Sequence, residues 1–371
     1  MKVKKLLVLI LGIMMFCQLW AGEKTKGSFE VVDVEATSLS NNIFGESTKR
    51  QVIVYLPPDY QNENKRYPVL YYMPGYTITA YNVVGSIALG FPITDIMDEQ
   101  LKKGNIGKMI VVAVDGVNIF SGSFFVNSPL TGNWEDYIVK DLVNYIDSNY
   151  RTIAKASSRA ICGHSMGGFG ALYLALRHPE TFSVVYAMSA GILDREGVKN
   201  STVLVDKKYE KDWFNLIETL EKMSKEEALK YIRDNAKSWR LTYDPKLFSL
   251  AYGCAFAYDS VDKPPFIKYP KRKDGSFDEE VVLIWNNGFG NWEKKIEDYK
   301  NKSIRLKAIA WDCGNQDEYE WIPRGAKYLD ELMMKYHIPH TYFKYDGTHI
   351  SKRKERFEQF ALPFIWKNLE K

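Results

Sequence analysis

The sequence is poor in the residues that build metal and redox centres. Among its 371 residues, four are cysteines and five are histidines. Cys17, Cys162, Cys254 and Cys313 show no C-x-x-C spacing, which argues against a zinc site or a thiol redox motif. We expect Cys162, Cys254 and Cys313 to be small buried apolar side chains, and we predict neither a metal ion nor any other cofactor.

The sequence also lacks a large excess of charge of either sign. The chain has 50 basic and 46 acidic residues, a formal net charge of +4. Lys2, Lys4 and Lys5 stand near the N-terminus, and without them the formal charge is +1. A chain of this balance has no electrostatic surface for nucleic acid or for an anionic membrane. Its composition, 46% hydrophobic and 26% charged, excludes a disordered chain and a collagen-like fibre.

Long apolar runs are missing except at the N-terminus. There, twelve mostly apolar residues (6–17) follow the lysines and precede Ala21 and Gly22. This run is shorter than the ~20 residues that span a bilayer, but it is typical of a secretory signal. We predict that residues 1–21 are a signal peptide and that the protein is periplasmic or secreted, without an integral membrane span. A lipoprotein anchored at Cys17 is the alternative, although the residues before it form a poor lipobox.

The remaining chain alternates between strand and helix patterns. Unbroken apolar runs at 67–73 and 108–114 favour strands buried on both faces of a parallel sheet. Further strands are predicted at 28–34, 50–56, 159–163, 182–188, 304–311 and 340–345, and helices over 134–148, 166–177, 319–336 and 353–369. This alternation predicts a doubly wound, mostly parallel α/β sheet flanked by helices.

Residues 195–300 interrupt the alternation. They are polar and helical, with a capping box predicted at Ser224-x-x-Glu227. We interpret them as an insertion into one domain (22–371), placed before the strand at 304–311. The insertion holds four of the nine tryptophans, which are expected either to line a wall for sugar or phenolic rings or to fill its own core: Trp213, Trp239, Trp285 and Trp292.

The strongest chemical signal is Gly163-His164-Ser165-Met166-Gly167. It joins a short strand to a helix, and G-x-S-x-G in this context describes a nucleophile elbow. The turn is so sharp that flanking side chains would collide, which explains the glycines. The turn lifts the serine hydroxyl above the carboxyl edge of the sheet. Ser165 is therefore the predicted nucleophile.

A serine nucleophile needs a base, and histidine is the usual one near neutral pH. His349 follows the last predicted strand and so lies at the same sheet edge as the elbow. The other four histidines suit the role less well, because the side chain of His164 should point away from the serine and the rest lie at helix ends or in a turn: His178, His337 and His340. His349 is the predicted base.

The acid that orients the histidine is expected between the serine and the histidine in chain order. Asp317 lies in the loop after the strand at 304–311 and is favoured. Asp312 ends that strand and could instead cap the turn, and Asp194 after the previous strand is a third candidate. An oxyanion hole needs two backbone N–H groups. We assign them to Met166, after the nucleophile, and to Tyr76, in the turn after the strand at 67–73.

These motifs resemble the esterase branch of the α/β-hydrolase fold that includes feruloyl and acetylxylan esterases, S-formylglutathione hydrolase (esterase D), enterochelin-type esterases and mycolyltransferases. The resemblance covers nearly the whole chain after the signal and is carried by residues 54–60, 66–70, 134–137 and 163–172, by Gly314-x-x-Asp317 and by Asp346-Gly347-x-His349. In that family the G-x-x-D aspartate is the acid, which supports Asp317. One departure is Met73-Pro74-Gly75, where the family usually has His-Gly.

The resemblance implies a secreted serine carboxylesterase that acts through an acyl-enzyme. The expected substrate is a small or polysaccharide-linked ester, such as a feruloyl or acetyl group on xylan-type carbohydrate. Alternatives are an acyltransferase to a sugar acceptor (mycolyltransferase-like), a siderophore-type esterase, and a non-catalytic carbohydrate-binding module on a hydrolase scaffold. The presence of Ser165, Asp317 and His349 argues against the last of these.

Overall fold

A computed structural model describes residues 26–84, 92–242 and 244–371. The predicted signal peptide, with Cys17, lies outside the described residues. Within the described ranges, no helix is both long enough and apolar enough to cross a membrane. The three cysteines at 162, 254 and 313 are free and buried, as expected.

The described chain is built around an eight-stranded sheet. Its strands are β1 (Ser28–Glu35), β2 (Lys49–Leu56), β3 (Val69–Met73), β4 (Ile110–Ala113), β7 (Arg159–His164), β8 (Val184–Met188), β9 (Ala308–Gly314) and β10 (Thr341–Tyr345), while β5 (Asn127–Ser128) and β6 (Gly132–Asn133) form a separate hairpin. The spatial order is β1-β2-β4-β3-β7-β8-β9-β10. Pairs from β4 to β10 are parallel, and β2 is antiparallel to both β1 and β4. The mostly parallel sheet predicted from the apolar runs is confirmed, since β3, β4, β7 and β8 are buried along their whole length.

Helices cover both faces of this sheet. They are α1 (Ala80–Val84), α2 (Ile93–Lys102), α3 (Trp134–Asp136, continuing through a π-helical Tyr137–Leu142 into Val143–Asn149), α4 (Met166–Arg177), α5 (Glu210–Glu221), α6 (Lys225–Leu241), α7 (Pro245–Phe256), α8 (Glu279–Asn286), α9 (Trp292–Lys300), α10 (Trp321–Lys335) and α11 (Arg353–Arg356, continuing through Phe357–Ala361 into Leu362–Asn368). Buried side chains form one apolar cluster on each face. The prediction for α4 matches its observed bounds.

Strand β9 differs from its prediction. The apolar pattern placed it at 304–311, whereas the strand runs over Ala308–Gly314. Ile304 is 47% exposed, so the first predicted residues do not enter the sheet. Asp312 was expected to end the strand, either as a second candidate acid or as a cap of the turn. It instead lies inside β9 and is fully buried. A charged carboxylate can be buried there because it forms an ion pair with Arg356.

Helices α5 to α9 occupy the segment between β8 and β9 that was interpreted as an insertion. The capping box of α6 is confirmed: Ser224 accepts from the Glu227 N–H, and Glu227 accepts from the Ser224 N–H at 2.8 Å. Trp213, Trp285 and Trp292 are fully buried in the same apolar cluster as one face of the sheet. Hydrophobic burial therefore joins these helices to the sheet.

Candidate active site

Ser165 lies in the sharp turn between β7 and α4. Its backbone has φ 58° and ψ −118°, a conformation that L residues rarely adopt. A Cβ on Gly163 would lie 2.3 Å from the Gly167 carbonyl oxygen, and one on Gly167 would lie 2.0 Å from that of Met73. Both positions therefore require glycine. The turn is held from the neighbouring strand, where the Ser165 N–H donates to the Met188 carbonyl at 3.0 Å.

Three side chains predicted from separate parts of the sequence meet above this turn. Ser165 Oγ lies 2.9 Å from His349 Nε2, and His349 Nδ1 lies 2.8 Å from Asp317 Oδ2. The second carboxylate oxygen of Asp317 accepts the Tyr319 N–H at 3.0 Å, and the carboxylate is fully buried. An acceptor-only carboxylate facing Nδ1 fixes the tautomer in which Nε2 can accept the serine proton.

The loops after β9 and β10 bring the acid and the histidine together. Since the two strands pair in parallel, both loops leave the same sheet edge. They are bonded to each other, with the Gln316 N–H donating to the Gly347 carbonyl at 3.0 Å. The His349 N–H donates to Glu318 Oε2 at 2.9 Å. This carboxylate anchors the histidine backbone, a role that the sequence pattern had not indicated.

His164 forms a hydrogen bond with the backbone of the same histidine. Its ring N–H at Nε2 donates to the His349 carbonyl oxygen at 2.9 Å. Burial, together with the nearby charges of His349 and Arg356, holds the pKa of His164 well below its ordinary value. It is therefore a neutral hydrogen-bond donor. The sequence pattern excluded His164 as the base but gave no sign of this supporting contact.

Asp312, the second candidate acid, belongs to a different network. It forms a fully buried ion pair with Arg356 of α11 and accepts from the Tyr186 hydroxyl at 2.9 Å. The Arg356 guanidinium also lies 4.1 Å from the centre of the Tyr345 ring, and the Tyr345 hydroxyl donates to the Thr348 carbonyl at 2.7 Å. Asp312 thus supports the histidine loop from within the sheet and does not cap a turn. The alternative that Asp312 caps the turn was wrong.

Asp194, the third candidate acid, forms its ion pair and its hydrogen bond with other residues. Its Oδ2 pairs with Arg324 Nε at 2.7 Å, and its Oδ1 accepts the Glu196 N–H at 3.0 Å. Neither oxygen contacts a histidine in the described chain. The geometry therefore supports Asp317 among the three carboxylates.

The turn after β3, predicted to supply the second oxyanion donor, packs directly beside Ser165. A Cβ on Gly75 would lie 3.5 Å from Ser165 Cβ, and both Tyr76 and Met166 line the cavity around the serine. The turn is braced by a neighbouring loop: the Thr77 N–H donates to the Ser121 carbonyl at 3.0 Å, and the Tyr76 hydroxyl donates to the Phe120 carbonyl at 2.7 Å. The amides of Tyr76 and Met166 remain the predicted donors.

A cavity of about 760 Å³ opens above the serine. The insertion contributes aliphatic, aromatic and charged walls to it, and α10 adds Trp321. The insertion tryptophans do not line this cavity. Trp213, Trp285 and Trp292 are core residues and Trp239 packs against that core, so the hypothesis that they form a binding wall is wrong. The indoles of Trp213, Trp285 and Trp292 are fully buried and that of Trp239 is partly buried, because they fill the apolar packing of α5 to α9.

Among the described residues, no group of three or more histidine, cysteine, aspartate or glutamate side chains is placed to hold a metal ion. The polar groups that meet at Ser165 are those of proton transfer.

Comparison with known proteins agrees with this architecture. Residues 45–352 match the family described as "Putative esterase". The chain is 31% identical over 153 residues to the endo-1,4-beta-xylanase/feruloyl esterase of Xylanibacter ruminicola, covering 40% of this chain and 20% of that protein. The chain thus spans about a fifth of that relative's length.

Solved structures extend the similarity to nearly the whole chain. A ferulic acid esterase superposes with a TM-score of 0.55 at 20% identity, covering 93% of this chain and 100% of the other. An S-formylglutathione hydrolase from Agrobacterium tumefaciens superposes with a TM-score of 0.53 at 16% sequence identity, covering 94% of this chain and 98% of the other. At such identities the likeness establishes the fold, which is of the α/β-hydrolase type. With the family match over residues 45–352, the chain belongs to the Putative esterase family.

Proposed function

We propose that this protein is a serine carboxylesterase in which Ser165 is the nucleophile, His349 the general base and acid, and Asp317 the residue that orients the histidine. The observation that carries the proposal is the continuous hydrogen-bonded chain from Asp317 through His349 to Ser165, which ends in an open cavity. Serine hydrolases on unrelated folds use the same geometry.

The proposed reaction has two halves. As Ser165 Oγ attacks the ester carbonyl carbon, its proton passes to His349 Nε2, and the carbonyl oxygen becomes an oxyanion facing the Met166 and Tyr76 amides. Collapse breaks the bond to the alcohol oxygen, which takes the proton from His349. Water then attacks the acyl-enzyme, gives its proton to His349, and releases the acid while Ser165 regains a proton.

An acylated carbohydrate is the proposed substrate. Two features support it: the similarity to a xylanase/feruloyl esterase, and a cavity with both aromatic and polar walls. Phe248, Phe277, Tyr319 and Trp321 provide flat apolar surfaces of the kind on which phenolic and sugar rings stack.

A hydrolysis panel tests the proposed activity. Purified protein should hydrolyse 4-nitrophenyl acetate and at least one of methyl ferulate and acetylated xylo-oligosaccharide, and a fluorophosphonate probe should label Ser165. Protein that leaves every ester intact and resists the probe would argue for a non-catalytic binding module. A product in which the acyl group moves to an added sugar in preference to water would argue for a transferase.

We also propose that the protein is exported and that residues 1–21 are removed. The support is the lysine-rich start, the apolar run and the small residues that follow. Intact-mass analysis of protein recovered from outside the cytoplasm should give a chain that begins near Gly22. A retained Met1 or a lipid on Cys17 would contradict the proposal.

A further inference from the structure

The cavity above Ser165 carries an excess of positive charge on its wall. Four of its charged groups are neutralised in three ion pairs. Glu210 pairs with Lys271, Lys199 pairs with Glu279 at 2.7 Å, and Asp244 pairs with Lys246 at 2.8 Å. Two further wall residues, Asp206 and Lys207, are adjacent and exposed and carry opposite charges. These groups together leave no net charge to attract an anion.

Arg240, at the end of α6, is one of the cations that remain. Its guanidinium is held by neutral acceptors: Nε donates to Ser121 Oγ and Nη2 to the Asn118 carbonyl, each at 3.0 Å. Buried Glu46 feels the charges of both Arg240 and Arg50, but Arg50 pairs mainly with Asp115 and lies 4.0 Å from Glu46, and Glu46 does not form an ion pair with Arg240. The two hydrogen bonds therefore fix the guanidinium at the cavity wall, and among the described residues no carboxylate forms a direct ion pair with it.

Arg353, at the start of α11, is the second remaining cation. It lines the same cavity beside His349 and Ile350. Its Nε is buried without a hydrogen-bond partner, and its guanidinium forms no ion pair in the described part of the chain. Desolvation, with the nearby charge of Arg356, lowers the pKa of Arg353. Arg356 itself is neutralised by Asp312.

Arg353 is half-buried and Arg240 is exposed. A half-buried guanidinium without a counter-charge, such as that of Arg353, costs stability because the protein does not replace the hydration that the group has lost. Guanidinium groups present forked N–H donors that match a carboxylate in two parallel hydrogen bonds. Resting on the esterase activity proposed above, we propose that Arg240 and Arg353 bind a substrate carboxylate. The substrate class is then an acyl ester that carries an acid group, which for a carbohydrate is an acylated uronic acid.

A matched pair of sugars tests this inference by binding. Calorimetry with methyl galacturonate and methyl galactoside compares two ligands that differ at one carbon, a carboxylate in the first and a hydroxymethyl in the second. The acid should bind at least tenfold more tightly at low salt, and the difference should shrink at high salt because ions screen the attraction. Equal binding of the two sugars would overturn the inference. This measurement needs no catalysis, so it stands even if the esterase proposal fails.

Hydrolysis of the corresponding acetylated sugars gives the second readout. The ratio of kcat/KM for the acid to that for the neutral ester should fall about tenfold in Arg353→Met and in Arg240→Met, mainly through KM. Arg353→Lys should keep part of the ratio, since it retains the charge but loses the fork. An unchanged ratio in both methionine variants would overturn the inference.

Exposed lysines on the same helices provide the controls. Lys237→Met on α6 and Lys354→Met on α11 remove a positive charge outside the cavity lining and should leave the ratio unchanged. Folding is checked by thermal unfolding. Arg353→Met should melt no lower than the parent protein, because the lost charge had no partner. A ratio that falls equally in the lysine controls would mark a general charge effect and contradict a specific carboxylate site.

Discussion

Replacement of Ser165 by alanine should lower the turnover number by several orders of magnitude. The reason is that Oγ forms and breaks the covalent bond to the acyl group. Among the described residues, no other hydroxyl is hydrogen-bonded to His349 Nε2, which lies 2.9 Å from Ser165 Oγ. In subtilisin, removal of the serine or of the histidine of such a unit lowers turnover by about 10⁶-fold. Steady-state hydrolysis of 4-nitrophenyl acetate measures the loss.

The histidine and the double variant sharpen this test. His349→Ala should cost about as much as Ser165→Ala, and the double variant little more, because the two residues act as one unit. Ser238→Ala, an exposed serine on α6, serves as the control and should keep full activity. Losses in Ser165→Ala and His349→Ala that multiply in the double variant would contradict a shared proton-transfer step.

The two aspartates near the site should respond to substitution in opposite ways. Asp317→Asn should leave a folded protein whose turnover falls by up to ~10⁴-fold, because the amide no longer fixes the Nδ1 proton of His349. Its free energy of unfolding should change far less than its turnover. Activity assays and urea denaturation of the same preparation measure both quantities.

Asp312→Asn should instead destabilise the protein. It leaves the Arg356 guanidinium, which is 1% exposed, without its counter-charge, and breaking a buried pair in this way costs about 3–5 kcal/mol. The further change Arg356→Met in the Asp312→Asn background should recover part of that loss, since it removes the stranded charge. A stable but inactive Asp312→Asn protein beside a fully active Asp317→Asn protein would assign the acid role to Asp312.

Short-range patterns in the sequence predicted a large part of the architecture. Residues 163–167 predicted the turn at Ser165 because G-x-S-x-G between a strand and a helix is a local pattern, and a Cβ on Gly163 would collide with the Gly167 carbonyl four residues along the chain. The collision that demands glycine at 167 is with Met73, which only the fold brings close. The match of α4 to its prediction and the capping box at Ser224 have the same local origin. The order of strands and helices placed Asp317 and His349 at the sheet edge that also carries the serine, and the structure brings all three together.

Only the tertiary structure showed the roles of residues whose partners are distant in the sequence. Asp312 looked like a strand end because its buried partner, Arg356, is 44 residues away. The tryptophans of the insertion looked equally suited to a binding wall or a core, and only the packing of α5 to α9 showed the core.

The sequence alone therefore determined the nucleophile turn, the parallel sheet and the short set of candidate acids and bases, because sterics and apolar periodicity act over a few residues. It could not determine which charges are neutralised. Arg240 and Arg353 are ordinary cations in the sequence, and their lack of carboxylate partners at the described cavity wall becomes visible only in three dimensions. Ion pairing and burial depend on residues that the fold brings close, and that proximity is a property of the folded chain.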